Sequence, residues 1–363
     1  MTSQSKVIQP GSVIGIVGGG QLGRMIAIAA HRLGYKAHIF CEEKNCPASE
    51  VTNLLTVAKY NNFKALRSFA KKVDVVTCEF ENIPFESLRY ISKIVPVRPR
   101  WQCFKIAQNR SREKEFLKKI NIETAPFATV NNLDELSKAL QDIKPPCVLK
   151  TGQLGYDGKG QVKINKNTKI NRVWKRGEKS IKILEKYIDF DKEISVIIAR
   201  TITGKIAAYD PAENLHRNHI LARSTVPAKI PDRVAKEAKK IARKIAVEIG
   251  LVGLLAIEMF VTKDSRIIVN ELAPRPHNSG HWSIDCNYTS QFEQTVRAVC
   301  NLKLGSCKRH SNAVMENILG NEVRNWKRII GKKNTRLHLY GKNQSRPGRK
   351  MGHITTVSPL KKR

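Results

Sequence analysis

The sequence predicts an α/β unit built on a parallel sheet at the N-terminus, followed by a strand-rich α+β region. Residues 12–33 read as a buried strand, a glycine turn and a helix. Strands and helices then keep alternating, the pattern of a parallel sheet whose neighbours are joined by crossovers. Later, two long apolar strands flank a short polar turn at 263–266, the mark of a hairpin inside a sheet.

In chain order, residues 12–17 form the first strand and 18–20 its turn. Residues 21–33 form the helix, on which Leu22, Met25, Ile26, Ala29 and Leu33 recur at helical spacing. Residues 36–40 and 73–78 are further strands, and Pro96 and Pro99 break regularity where the unit ends. A helical stretch at 101–121 opens a new region. Pro145-Pro146 precedes a strand at 147–150 and a glycine-rich loop, with more strands at 181–187 and 193–199. Residues 231–250 form a helix, basic on one face and ended by Gly250. Strands at 254–262 and 266–271 follow, and beyond about Gly305 the chain is short and basic.

The 363 residues, 41% apolar and 26% charged, have globular composition and room for two or three domains. No apolar run approaches the roughly 20 residues of a membrane helix. The stretch 13–17 is too short for a signal-peptide core, so a cytoplasmic protein without a membrane partner is expected. Eight cysteines form no Cys-x-x-Cys pair and sit mostly in apolar contexts, which predicts buried reduced thiols. The net charge of +34, from 65 basic and 31 acidic residues, raises nucleic-acid binding as a question. The basic stretches at 163–182 and 229–244 lack interleaved aromatics, a cysteine/histidine finger or a basic zipper. A solvated basic surface is the better account.

Gly18-Gly19-Gly20-Gln21-Leu22-Gly23 satisfies G-x-G-x-x-G between a strand and a helix, and Glu42 lies about 20 residues beyond. The loop is expected to hold a phosphate on the helix N-terminus. A dinucleotide is one possible ligand, and strand-to-helix packing without a ligand is the plainer alternative. Lys150 ends an apolar strand and leads into Thr151-Gly152-Gln153-Leu154-Gly155-Tyr156-Asp157-Gly158-Lys159-Gly160-Gln161. Four glycines there suit a mobile flap whose amides fold over phosphates, and the spacing is not that of a Walker loop. A hairpin turn with a surface lysine is the alternative.

The hairpin carries the strongest signal. With Asp264-Ser265 as a two-residue turn, Glu258 faces Glu271 across two apolar strands. Cross-strand partners have Cβ atoms about 4.5–5.5 Å apart, where like charges repel. Such a pair calls for a cation, and carboxylate oxygens suit Mg²⁺. Arg275, His277, Asn278 and His281 follow in a loop whose Pro274 and Pro276 exclude a helix, placing polar groups beside the proposed metal strand.

These motifs, in this order, resemble the ATP-grasp superfamily and, within it, the N5-carboxyaminoimidazole ribonucleotide synthase family of purine biosynthesis. The match runs from about 12 to 353. It rests on Gly19-Gly20-Gln21-Leu22-Gly23-Arg24, Glu79-Phe80-Glu81-Asn82-Ile83-Pro84, the flap, the stretch from Asn270 to Trp282, and Arg346-Pro347-Gly348-Arg349-Lys350-Met351-Gly352-His353. The resemblance implies an ATP-grasp architecture. It comprises an N-terminal parallel α/β domain at 1–100, an ATP-grasp domain at 101–305 with a small flap-bearing subdomain at about 115–190, and a C-terminal domain at 306–363. It implies a ligase that uses ATP and Mg²⁺ to join bicarbonate to aminoimidazole ribonucleotide through carboxyphosphate, and a homodimer.

For ATP, the resemblance implies Arg110 and Lys150 at the phosphates, with Gly155, Tyr156, Asp157, Gly158, Lys159, Gly160 and Gln161 closing over them. Glu185, Lys186, Tyr187 and Ile188 would hold the adenine, and Glu193 the ribose. His216, Asn270 and Glu271 complete the nucleotide site, and Glu258 with Glu271 would bind the metal. Gly20, Gln21, Leu22, Gly23, Glu79, Tyr156, Asp157, Arg275, Asn278, Lys342, Arg349 and Lys350 would hold the ribonucleotide. Lys150, Arg275 and His277 are the implied catalytic groups. The chain ends ten residues past His353, where family members continue with another helix, so a weaker C-terminal domain or dimer is expected. The rival readings are another ATP-grasp carboxylate–amine ligase such as a glycinamide ribonucleotide formyltransferase, an NAD-dependent oxidoreductase, and a basic nucleic-acid-binding protein.

Overall fold

The structure, a computed structural model, describes residues 6–152, 160–174 and 181–360. Five of the predicted flap residues, Gly155 to Lys159, lie outside that set.

The N-terminal unit comprises β1 (Val13–Val17), α1 (Gln21–Arg32), β2 (Lys36–Cys41), β3 (Leu54–Val57), α2 (Phe63–Ala70), β4 (Val75–Cys78) and α3 (Phe85–Ile91). Its sheet is wholly parallel, in the order β3-β2-β1-β4. β1, α1, β2 and β4 lie where the sequence pattern puts them. β3 was not legible because it is an edge strand with no buried residue, so it carries no apolar run.

The predicted helical stretch at 101–121 is two helices, α4 (Trp101–Ala107) and α5 (Arg110–Lys119). The chain leaves the helix at Asn109, whose side chain accepts the Arg112 N–H and caps α5. Next come β5 (Phe127–Val130), α6 (Leu133–Ile143), β6 (Cys147–Thr151), β7 (Gln161–Ile164), α7 (Ile170–Val173) and β8 (Lys182–Lys186). These strands make a small antiparallel sheet in the order β5-β8-β6-β7. Lys150 pairs with Gln161, so β6 and β7 run antiparallel on either side of the glycine-rich segment.

The remaining strands form one nine-stranded sheet. They are β9 (Phe190–Arg200), β10 (Ile206–Ala208), β11 (Ala212–Arg217), β12 (Ile220–Val226) and, after α8 (Asp232–Glu248), β13 (Gly253–Thr262) and β14 (Ile267–Ala273). α9 (Ser283–Cys286) and α10 (Gln291–Val299) lead to β15 (Ser311–Leu319), α11 (Trp326–Ile330), β16 (Thr335–Leu339) and β17 (Lys350–Pro359). The order is β14-β13-β9-β11-β12-β15-β17-β16, with β10 beside the end of β9. The last three strands therefore extend the sheet that carries the carboxylate hairpin.

Strand alternation sorts the faces. Ile194, Val196, Ile198, Leu255, Ile257 and Met259 pack on α8. Ile197, Ala199, Leu254 and Ala256 pack toward Trp282, Cys286 and Ala298 on the other side. Glu258 and Phe260 share parity with Leu254 and Ala256, and they reach an open cleft where that helical cover gives out.

Gly250 closes α8 as predicted. It takes φ +65, its N–H reaches Val247 O at 3.0 Å, and Leu251 N–H reaches Ala246 O at 3.0 Å. A Cβ there would meet nothing within 4 Å, so substitution changes backbone preference alone. Gly250→Ala should lower stability by about 1 kcal/mol, with Gly250→Asn losing less. A urea midpoint unchanged in the alanine variant would refute this.

Candidate active site

Glu258 does pair with Glu271, but not through the predicted two-residue turn. Thr262 N–H bonds Arg266 O at 3.0 Å, and Ser265 takes φ +64, giving a three-residue loop, Lys263-Asp264-Ser265. Val261 then pairs with Ile267, Phe260 with Ile268 and Met259 with Val269, one residue away from the expected register. On that register alone Glu258 would oppose Asn270. A β-bulge between Met259 and Glu258 takes up Asn270 as an extra residue and restores the carboxylate pair. It also lets the sequence neighbours Asn270 and Glu271 line the same cleft, which strict alternation forbids.

The bulged strand is braced from outside by α5. Glu113 Oε1 accepts the Leu272 N–H at 2.7 Å, and Lys114 Nζ donates to Asn270 O at 3.4 Å. Val269 N–H bonds Glu123 O at 2.9 Å. Burial, with Glu271 nearby, pushes the Glu113 carboxyl up to about 8. Burial, then Glu271 and Glu193, push Glu258 well above the usual carboxylate range.

Cations face this pair. Arg110 Nη1 lies 3.5 Å from Glu271 Oε2. Glu185 Oε2 accepts Lys150 Nζ at 3.0 Å and pairs with Lys114 at 3.4 Å, while its Oε1 is buried with no hydrogen-bond partner. Burial raises the Glu185 carboxyl, but Lys114 and Lys150 outweigh it and hold it below its ordinary value. Lys114, 1% exposed, was not anticipated. Its signal was the helical spacing of Arg110, Glu113, Lys114 and Leu117, which gives α5 a buried face rich in charge.

The glycine loop corrects the phosphate expectation. Glu79 occupies the N-terminus of α1, accepting Gly20 N–H at 2.8 Å and Gly23 N–H at 3.1 Å. A Cβ on Gly20 would lie 2.8 Å from Glu79 Oε1, so the glycines admit a carboxylate of the protein's own. A phosphate would compete with that anion for the same donors. Glu42, the expected ribose partner of a dinucleotide, instead accepts Tyr60 N–H at 3.1 Å. The dinucleotide reading loses both of its contacts.

In the loop after β14, Arg275 is 7% exposed and its Nε bonds Glu81, with Nη1 donating to Pro276 O at 2.9 Å. His277 Nε2 lies 3.4 Å from Glu258 Oε1, and its Nδ1 lies 2.8 Å from Ser279 Oγ. Burial, then Arg275 and Lys350, lower His277 well below its ordinary value, so it is a neutral hydrogen-bonding group and not a cation. Buried Gln291 clamps this residue, accepting His277 N–H at 2.9 Å and donating to its carbonyl at 2.7 Å. Asn278 Oδ1 is buried without a partner. Glu81, quoted only within the 79–84 motif, was given no role of its own, and Gln291 was missed because an isolated polar residue carries no periodic signal.

One cleft of about 620 Å³ between the small and large sheets collects most of the expected nucleotide residues. Its wall holds Arg110, Lys150, Gln161, the segment 185–188, Glu193, His216, Glu258, Asn270, Glu271, Arg275, His277, Asn278 and Lys350. Glu193 Oε2 and His216 Nδ1 are 2.7 Å apart. Gly160 lies at the hairpin edge, where its carbonyl accepts Thr151 N–H at 3.0 Å. Gly20 to Gly23, Glu79, Lys342 and Arg349 are off this wall but adjoin it. Lys342 Nζ donates to Lys350 O at 2.7 Å, and Arg349 Nη1 to Gln344 O at 3.0 Å.

Residues 12–108 match the ribonucleotide synthetase preATP-grasp domain, 115–292 the ATP-grasp domain, and 313–362 the phosphoribosylaminoimidazole carboxylase C-terminal domain. The chain is 44% identical to the N5-carboxyaminoimidazole ribonucleotide synthase of Brucella melitensis, over 97% of this chain and 98% of that one. It is 46% identical to the bifunctional purine synthesis protein purC/E of Dictyostelium discoideum over 96% of its own length, and spans 37% of that longer protein. A crystal structure of an N5-carboxyaminoimidazole ribonucleotide synthetase with ADP matches at TM-score 0.95 and 42% identity, covering 99% of this chain and 94% of that one. The Aspergillus clavatus N5-carboxyaminoimidazole synthase, in complex with ADP and 5-aminoimidazole ribonucleotide, matches at TM-score 0.90 and 29% identity, over 97% and 95% of the two chains. With this likeness running through all three sheets, the chain belongs to the N5-carboxyaminoimidazole ribonucleotide synthase family of ATP-grasp enzymes.

Proposed function

We propose that this chain uses ATP to carboxylate 5-aminoimidazole ribonucleotide with bicarbonate, giving N5-carboxyaminoimidazole ribonucleotide, ADP and phosphate in purine synthesis. The observation that carries the reading is the meeting of Glu258, Asn270 and Glu271 with Arg110 and Lys150 on one cleft wall. The names of its full-length relatives support the same reaction.

Mg²⁺ fits the donor set. Glu258 and Glu271 are hard oxygen ligands brought face to face, Asn270 lines the same cleft beside them, and a divalent ion would offset the like-charge repulsion that adds to burial in raising Glu258. When bound, such an ion supplies charge neutralisation at the transferring phosphate. Arg110 and Lys150 would take the phosphates, and the flap at 155–161 would cover them. Glu185 Oε1, buried and unpartnered, offers an acceptor for the adenine amine beside the segment 186–188. Glu193, steadied by His216, would take the ribose hydroxyls.

Bicarbonate would attack the γ-phosphate, with Lys150 offsetting the charge that moves through the transition state. The carboxyphosphate formed is labile in water, so flap closure would exclude solvent while the substrate amine captures the carboxyl carbon. Arg275 would steady that intermediate by charge, and neutral His277 by hydrogen bonding alone. The ribonucleotide would lie against residues 20–23 and Glu79, with Asn278 Oδ1 as an acceptor, Tyr156 and Asp157 from the flap, and Lys342, Arg349 and Lys350 at its phosphate. We also infer a cytoplasmic homodimer, which light scattering at about twice 40.9 kDa would check. Among the described residues no helix is long and apolar enough to cross a membrane.

ADP release should require Mg²⁺ and rise with aminoimidazole ribonucleotide. Stimulation by glycinamide ribonucleotide alone would redirect the reading to a formyl-transferring relative. In the same assay Glu271→Gln should cut turnover at least roughly a hundredfold while circular dichroism stays unchanged, and near-normal activity would remove the metal assignment.

Burial, then Arg349, lower the Lys342 ammonium to about 8. Lys342 therefore carries its charge below that pH and sheds it above, so KM for the phosphate-bearing substrate should climb as pH passes about 8. Arg keeps its charge throughout this range, so Lys342→Arg should flatten the climb. An equal rise in both proteins would assign the effect to another group.

A further inference from the structure

Behind the proposed substrate site lies a histidine cluster that the reaction does not use. β16 and β17 pair antiparallel with His338 opposite His353, their rings 4.5 Å apart and 14° from parallel. Asp285 on α9 places Oδ2 2.9 Å from His338 Nε2. One ligand atom from each of Asp285, His338 and His353 lies within 4.8 Å of the other two. Three separate segments thus converge on one point.

A second observation is independent of that convergence. His353 is 0% exposed, its Nδ1 lies 2.8 Å from the Tyr340 hydroxyl, and its Nε2 has no hydrogen-bond partner. A neutral imidazole carries a hydrogen on one ring nitrogen and a lone pair on the other. The site requires the tautomer in which Nδ1–H donates to the Tyr340 hydroxyl and the lone pair falls on Nε2. A second-sphere bond of this kind fixes a metal-binding tautomer. His281, its ring 4.8 Å from that of His353, is also 0% exposed with Nε2 unpartnered. Buried polar atoms are satisfied as a rule. His281 Nδ1 accepts from the Gln291 amide, so its Nε2 carries the hydrogen, and the orphaned His353 Nε2 is the nitrogen that asks for a ligand accepting a lone pair.

We propose that Asp285, His338 and His353 form a binding site for a divalent transition-metal ion of the zinc class. Two imidazoles and a carboxylate suit zinc and its neighbours, whereas Mg²⁺ prefers an all-oxygen shell such as the Glu258–Glu271 pair. The ion would tie α9, which follows the Arg275–His277 loop, to the β16–β17 ribbon that flanks Lys342 and Lys350. Its role would be to brace that basic corner, outside the chemistry.

The test titrates the full chain with Co²⁺ in saturating Mg²⁺ and ADP, which occupy the carboxylate centre. One equivalent should develop visible ligand-field absorption. His338→Ala, at the partly exposed edge of the cluster, and the isosteric Asp285→Asn should each weaken it at least roughly tenfold. Surface His31→Ala should leave it unchanged. Circular dichroism and ADP binding confirm that the variants fold, and Asp285→Asn keeps the test open if the alanine variant does not. Absence of a saturable band, its complete loss to Mg²⁺, or identical titrations in parent and variants would each overturn the site and leave a hydrogen-bonded histidine stack.

Discussion

The geometry of the cleft depends on one irregular residue, Asn270, and on the two charged side chains that hold it. A β-bulge costs a ladder position and leaves backbone groups without strand partners. Here those groups lie on β14, the edge of the sheet, where solvent or another chain would otherwise compete for them. Glu113 takes the Leu272 amide and Lys114 takes the Asn270 carbonyl, so a helix replaces the missing strand. The carboxylate pair, the neighbouring asparagine and the start of the Arg275 loop all inherit their positions from that arrangement.

The same helix sets the charge of the cleft. Lys114 bonds both to the bulge and to Glu185, and Glu185 in turn holds Lys150. A buried ion pair is weak evidence for stability, because desolvation offsets the attraction. Its use here is positional: Arg110, Lys114 and Lys150, on two elements, are fixed beside the carboxylate pair, with Arg110 itself 3.5 Å from Glu271, on a cleft that a polyphosphate could enter. Partners on opposite sides of the cleft, the small sheet and the hairpin, are thereby registered against each other.

Much of this was legible from the chain, and the failures have identifiable causes. The strands 13–17, 36–41 and 253–262 announce themselves because they are buried on both faces and read as apolar runs. β3 and the break between α4 and α5 do not, since an edge strand and a single capping asparagine leave no periodic trace. The face-to-face glutamates were expected for a reason that was half wrong. A three-residue loop shifts the hairpin by one position and the bulge shifts it back, so two departures cancel at the functional pair. The glycine loop shows the opposite error. Its spacing was read correctly as a surface that welcomes an anion, but the anion is Glu79, supplied from 59 residues away and invisible to a local motif.

That internal anion has a chemical consequence for the reaction assigned here. Glu79 and Glu81 both lie just past the end of β4, and Arg275, bonded to Glu81 and attracted to Glu79, lines the cleft together with Glu81. An amine-bearing nucleotide needs an acceptor to orient its amine, and a carboxyphosphate needs a cation, yet the two must meet within bonding distance. A guanidinium with an acid on one side and open cleft on the other can serve both compartments as a shared wall. A phosphate bound at the glycine loop would place a second anion against Glu79 and pull Arg275 away from the cleft. With Glu79 already on the Gly20 and Gly23 amides, the loop disfavours phosphate at the place where its sequence motif would invite it.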